Sequence, residues 1–203
     1  DFETRPQLIA DTEAVALVDE ILEQGEWQYI RPRGDVARYF GDLKSLVSLL
    51  KREGLSPEQF LEQVDQEIDR IKSNPDNISS RGARKGELKM ESIKEIEALE
   101  RTREVVRFYE VYEQTKIERA LMDYDDVLAY AVKLAQISED VRADIREAYL
   151  YVLVDEHQDS SGVQNAFLEA VWQGIERPNI FVVGDDRQLI YGFAGSSFEH
   201  FTK

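Results

Sequence analysis

Leu150-Tyr151-Val152-Leu153-Val154-Asp155-Glu156 decides how this chain is read. Five apolar residues in a row end abruptly in two acids. A run of that length, rich in β-branched and aromatic residues, predicts a strand buried on both faces, as parallel sheets require. Gly162 to Gln173 has helical spacing, and Asn179-Ile180-Phe181-Val182-Val183 is a second apolar run, ended by Gly184. Strand, helix, strand over this length predicts a right-handed parallel unit. Both strands then deliver their following residues to one carboxyl edge, where open α/β sheets bind ligands.

Upstream the period is helical throughout. Helices are expected over Asp11–Gln24, from Asp35 to Gly54, after the cap Ser56-Pro57-Glu58-Gln59, over Leu88–Leu121, over Asp123–Gln136 and over Ser138–Ala148. The long one carries a stripe of Met90, Ile93, Ile96, Leu99, Val106, Tyr109, Tyr112 and Ile117, and the next one turns Val127, Leu128, Ala131, Val132 and Ala135 inward. Ser56 followed three residues later by Gln59, with proline at the first helical position, is a capping box. Asn74–Gly86 breaks the pattern. Its Arg81, Arg84 and Lys85 fit either a solvated surface loop or a phosphate-contacting one. The expected fold class is therefore α/β: a mostly helical part followed by an incomplete parallel sheet.

Composition narrows the functions. The 203 residues hold 41 acids against 25 bases, a net charge of −16, and no cysteine. Disulfide frameworks, thiol catalysis and cysteine-based zinc sites are excluded. No apolar run approaches the ~20 residues that span a bilayer, and the first residues carry no leader, so no membrane is expected and a cytoplasmic location is the default. The parts before and after Glu118 are both net acidic, so any nucleic acid must be held by local patches or by stacking.

Asp155 and Glu156 are candidates for a magnesium-nucleotide site: hard carboxylate oxygen suits Mg2+, and an adjacent carboxylate can orient an attacking water. A strand end simply facing solvent fits the same residues. Val183-Gly184-Asp185-Asp186-Arg187-Gln188 should emerge at the same edge, with Gln188 placed to touch phosphate or water. Tyr191-Gly192-Phe193 follows, two aromatics in a glycine-bounded turn, which fit either ordinary packing under a loop or stacking on bases, which needs no positive charge. Asp123, Asp125 and Asp126 suggest a metal cluster less strongly than they suggest a helix cap.

Asp155-Glu156-His157-Gln158-Asp159-Ser160-Ser161, followed by Val182-Val183-Gly184-Asp185-Asp186-Arg187-Gln188-Leu189-Ile190-Tyr191-Gly192-Phe193-Ala194-Gly195, resembles motifs II and III of the UvrD/Rep family of superfamily 1 DNA helicases. Asp123-Tyr124-Asp125-Asp126-Val127-Leu128 resembles an element preceding motif II, and Leu43–Phe60 resembles the family's helical insertion. The resemblance implies a helical insertion over 1–121 and part of a RecA-like first motor domain, a P-loop NTPase fold, over 122–203. It implies ATP with Mg2+ as cofactors. Asp155 would hold the magnesium, Glu156 would act as base or water-positioning group, and Gln188 would sense the γ-phosphate. Gln158 and Asp159 would couple nucleotide to DNA, and Tyr191 and Phe193 would stand against bases. The partners implied are single-stranded and duplex DNA and the rest of the parent chain, with 3′-to-5′ polarity. His157 replaces an aromatic and reads as a packing variant. Arg187 replaces a common aspartate, Phe193 a tryptophan, and Ala194 an arginine that would supply one contact.

No Gly-x-x-x-x-Gly-Lys-Ser/Thr phosphate loop occurs in these residues. The expectation is a piece of a longer helicase, inactive alone, whose Ile180–Val183 strand presents an open edge for self-association. A helicase–nuclease of the RecB/AddA style and a non-hydrolysing binding module descended from helicases are the rival readings.

Overall fold

In the computed structural model the described residues are 5–30, 36–81 and 84–185. Seven α-helices are described: α1 (Asp11–Gln24), α2 (Val36–Arg52), α3 (Pro57–Ser73), α4 (Met90–Glu118), α5 (Tyr124–Ile137), α6 (Glu139–Ala148) and α7 (Gly162–Trp172). Four short strands accompany them: β1 (Gln7–Leu8), β2 (Leu121–Met122), β3 (Val152–Val154) and β4 (Ile180–Val182).

Local chemistry sets the helix ends. Ser56 accepts from the Gln59 N–H while the Gln59 side chain accepts from the Ser56 N–H, the reciprocal box expected there. Asp123 and Asp126 form the same box at the start of α5, and Ser161 caps α7. Asp35, the cap expected for α2, lies outside the described residues. Between α3 and α4 the expected break appears as a 3-10 turn at Pro75–Asn77 and a bridge from Ile78 to Leu88.

The main core joins α1, α2 and α4. Leu17, Val18 and Ile21 meet Leu43, Val47 and Leu50, closed by Trp27, Phe108 and Tyr112. Trp27 and Phe108 meet edge to face at 5.9 Å. α3 packs along α4. Next to Trp27 the chain is held by one carboxylate: Glu104 accepts the backbone N–H groups of Gln28, Tyr29 and Ile30 at 2.5, 2.5 and 2.8 Å. β1 and β2 then pair in parallel, Gln7 with Leu121 and Leu8 with Met122, so the helical segment returns to the strand from which it departs.

β3 and β4 pair in parallel with Leu153 opposite Phe181, and α7 connects them, the unit the sequence predicts. Its burial differs from expectation. Leu153 is 79% exposed and Phe181 64%, so neither strand is buried on both faces. Among the described residues the sheet has two strands, and a smaller core of Ala135, Ala170 and Val171 joins α5 to α7. The apolar run is genuine strand sequence, but no described element covers Leu153 or Phe181. The same holds on α5, where Val127 and Leu128 face solvent and Ala135 alone of the expected inward set is fully buried. On α4 the stripe is buried at Val106, Tyr109 and Tyr112, while Met90 and Ile117 are exposed.

Candidate functional site

β3 ends at Val154, and Asp155 and Glu156 follow at its carboxyl edge. The next residues close a tight loop. Glu156 adopts a left-handed backbone, φ 50° and ψ 44°, which is costly for any residue with a Cβ. Its N–H donates to the Asp155 Oδ1 at 2.9 Å, and its carbonyl accepts from the Asp159 N–H at 2.8 Å. His157 donates its N–H to the Val183 carbonyl at 3.0 Å, extending the pairing one step past the strands. The His157 ring meets the Ser160 hydroxyl at 3.2 Å.

Gln158 is the interior member of this loop, 3% exposed. Its Nε2 donates to the Glu156 carboxylate at 2.5 Å and its Oε1 accepts the Asp185 N–H at 2.9 Å. The structure thus brings together Asp155, Glu156, Gln158 and the backbone after β4. Asp159 sits in the same loop, and its Oδ1 is buried with no hydrogen-bond partner among the described residues. Gln188, Tyr191 and Phe193, with Arg187 and Ala194, lie outside the described residues.

Asp155 and Glu156 are both exposed, and among the described residues no basic side chain ion-pairs with either. Hard, accessible carboxylate oxygen at a strand end fits a magnesium ion. The other acidic group does not. Glu113, Asp123 and Asp126 place their carboxylate oxygens within 4.8 Å of one another, but two lysine ammoniums already fill the space. Lys116 Nζ lies 2.9 Å from both Glu113 and Asp123 and 2.7 Å from Asp126. Lys51 lies 2.8 Å from Asp123 and 3.2 Å from Glu113 and also pairs with Asp126. Asp125 is held by Ser48 and Arg52. Burial alone would lower the Lys51 pKa, but Glu113, Asp123 and Asp126 outweigh it and hold it above the ordinary lysine range. Burial would likewise raise Asp123, yet Lys51 and Lys116 hold it well below the usual carboxylate range. Glu113 is pushed upward by burial, against the same two lysines.

This buried cluster is the feature that sequence reading misses. It recognises the Asp123 cap but not the two lysines that converge on it from α2 and α4.

The chain belongs to the UvrD/REP helicase family: it matches the family's N-terminal domain over residues 2–203. It is similar to an ATP-dependent helicase/nuclease subunit of Lactococcus lactis subsp. cremoris strain SK11, 35% identical over 89 residues, covering 44% of this chain and 7% of that protein. The like-named protein of Levilactobacillus brevis is 37% identical over 98 residues, 46% of this chain and 8% of the relative. That of Clostridium novyi is 34% identical over 103 residues, 49% of this chain and 8% of the relative. The matched segment is less than a tenth of each relative's length. No helix among the described residues is long and apolar enough to cross a membrane.

Proposed function

We propose that this chain is part of the motor of an ATP-dependent DNA helicase, with residues 1–121 forming a helical insertion and 122–203 part of a RecA-like first motor domain. The observation that carries the reading is the Asp155–Glu156 pair at the carboxyl end of a strand, tied through Gln158 to the backbone at Asp185. Family membership supplies the chemistry that such an edge serves.

In this reading Asp155 would hold the magnesium of Mg-ATP, whose charge would offset that of the phosphates. Glu156 orients or deprotonates the attacking water. Gln188 contacts the γ-phosphate, Gln158 and Asp159 link the nucleotide edge to the DNA-facing segment, and Tyr191 and Phe193 stack on bases of the tracking strand. The motor moves 3′ to 5′ on single-stranded DNA and opens duplex. No phosphate loop lies in these 203 residues, so they have no turnover by themselves.

A second reading, a helicase–nuclease, is favoured by the names of the similar proteins, which are helicase/nuclease subunits. The full-length gene product, given duplexes with 3′ or 5′ single-stranded tails, separates the two. ATP-dependent unwinding of the 3′-tailed substrate alone, with both strands intact, supports a simple helicase. Unwinding accompanied by strand cleavage supports the second reading. No ATP-dependent unwinding of either substrate rejects both.

A further inference from the structure

Gln158 presents one carboxamide to two parts of the site. Nε2 donates to the Glu156 carboxylate and Oε1 accepts the Asp185 N–H at 2.9 Å. The two contacts demand the same orientation of the amide: a carboxylate needs a donor and a backbone N–H needs an acceptor, so a flipped amide satisfies neither. The side chain is 3% exposed, so water does not substitute for either partner.

The Glu156 backbone has little freedom of its own. Its left-handed conformation is pinned on both sides, through the Asp155 carboxylate and the Asp159 N–H. What remains variable is the glutamate side chain, long, exposed and able to occupy several rotamers. Gln158 selects one of them.

We infer that Gln158 is a positioning residue for Glu156: its buried carboxamide fixes the direction of that carboxylate and makes it depend on where the backbone at Asp185 lies. Because an amide is planar and rigid, a shift of the Gly184–Asp185 backbone reorients Nε2 and with it the carboxylate. The inference rests on the proposed role of Glu156 in hydrolysis.

The test compares Gln158→Ala and Gln158→Glu with wild type in the full-length gene product, reading steady-state ATP hydrolysis with single-stranded DNA. The glutamate variant retains an acceptor for the Asp185 N–H but repels Glu156, so it severs one arm only. Both variants should lose about tenfold to a hundredfold in kcat, the scale of a misplaced reacting group, with KM for ATP within about twofold. Thermal melting should stay close to wild type in the alanine variant, which adds no buried charge. Wild-type kcat in both variants, with Glu156→Gln inactive, overturns the inference and leaves the ATPase reading standing. A fall in kcat with a proportional rise in KM, or with a large loss of thermal stability in both variants, marks a merely structural role and also overturns it. Full turnover by Glu156→Gln removes the reading on which the inference rests.

Discussion

The Lys116 ammonium lies 2.9 Å from the Asp123 carboxylate, and the lysine side chain is 1% exposed. Asp123 caps α5, while Lys116 belongs to the last turn of α4. One buried ion pair therefore ties the long helix of the helical segment to the first helix of the segment that carries Asp155. Lys51 repeats the tie from α2. Two cations among three carboxylates are tolerated in the interior only because each charge has several partners.

Removing one partner should therefore be severe. Lys116→Met leaves Asp123, Asp126 and Glu113 with a single cation. We expect a loss of about 3–5 kcal/mol, the range for breaking a buried pair from one side. Urea unfolding of the 203-residue chain at pH 7 checks it, and a loss below about 1 kcal/mol would mean that water reaches the cluster.

The three groups should differ in sign. Lys51 and Lys116 overcome burial to hold Asp123 low, so its contribution is present above the unfolded value of about 4 and is lost as pH falls toward its folded value. The neighbouring carboxylates hold Lys51 high, so its contribution is present below the unfolded value of about 10.4 and is lost only in stronger alkali. Burial holds Glu113 above the ordinary value, so its ionisation costs the fold stability as pH rises through the interval between unfolded and folded values. At pH 7, Asp123→Asn should cost several times more than Glu113→Gln. Unfolding midpoints from about pH 3 to 10 test this, and equal costs would contradict it.

Glu104 gives a local test. It accepts three consecutive backbone N–H groups beside Trp27. Burial would raise its pKa, but those three bonds hold it below the usual range. Glu104→Ala should cost about 1–3 kcal/mol, the scale for unpaired donors. Altered Trp27 fluorescence, reporting a loosened 28–30 segment, should accompany it.

The expected edge strand has a structural counterpart. β4 pairs with β3 on one side, no described strand pairs with its other edge, and Phe181 and Val182 are exposed. Sedimentation of the 203-residue chain should show concentration-dependent association that Val182→Lys reduces, because an edge lysine opposes strand pairing. A strictly monomeric chain at high concentration rules this out.

Much of the fold is legible locally. Ser56-Pro57-Glu58-Gln59 encodes its own capping box, and the apolar run at Val152–Val154 is a strand paired in parallel with the one at Ile180–Val182. What sequence cannot reveal is convergence. β1 and β2 are two residues each, too short for a periodic signal, and they exist because both ends of the helical segment meet. Lys51 and Lys116 look like ordinary solvated lysines until α2 and α4 bring them to the Asp123 cap. Burial of Leu153 and Phe181 is overestimated because an apolar run specifies a strand but not what covers it. Within the candidate site, the Asp155–Glu156 pair stands out by chemistry. The amide link from Gln158 to Asp185 depends on a side-chain direction that only the fold supplies.

Under the proposed function, Glu156 serves ATP hydrolysis at the edge of β3. The most direct test is nucleotide turnover and retention by the full-length gene product carrying Glu156→Gln, in the presence of single-stranded DNA. The expected result is retained ATP binding with hydrolysis reduced by about 10²–10⁴, the contribution of a positioned base. ATP hydrolysis at the wild-type rate by that variant would contradict that role for Glu156.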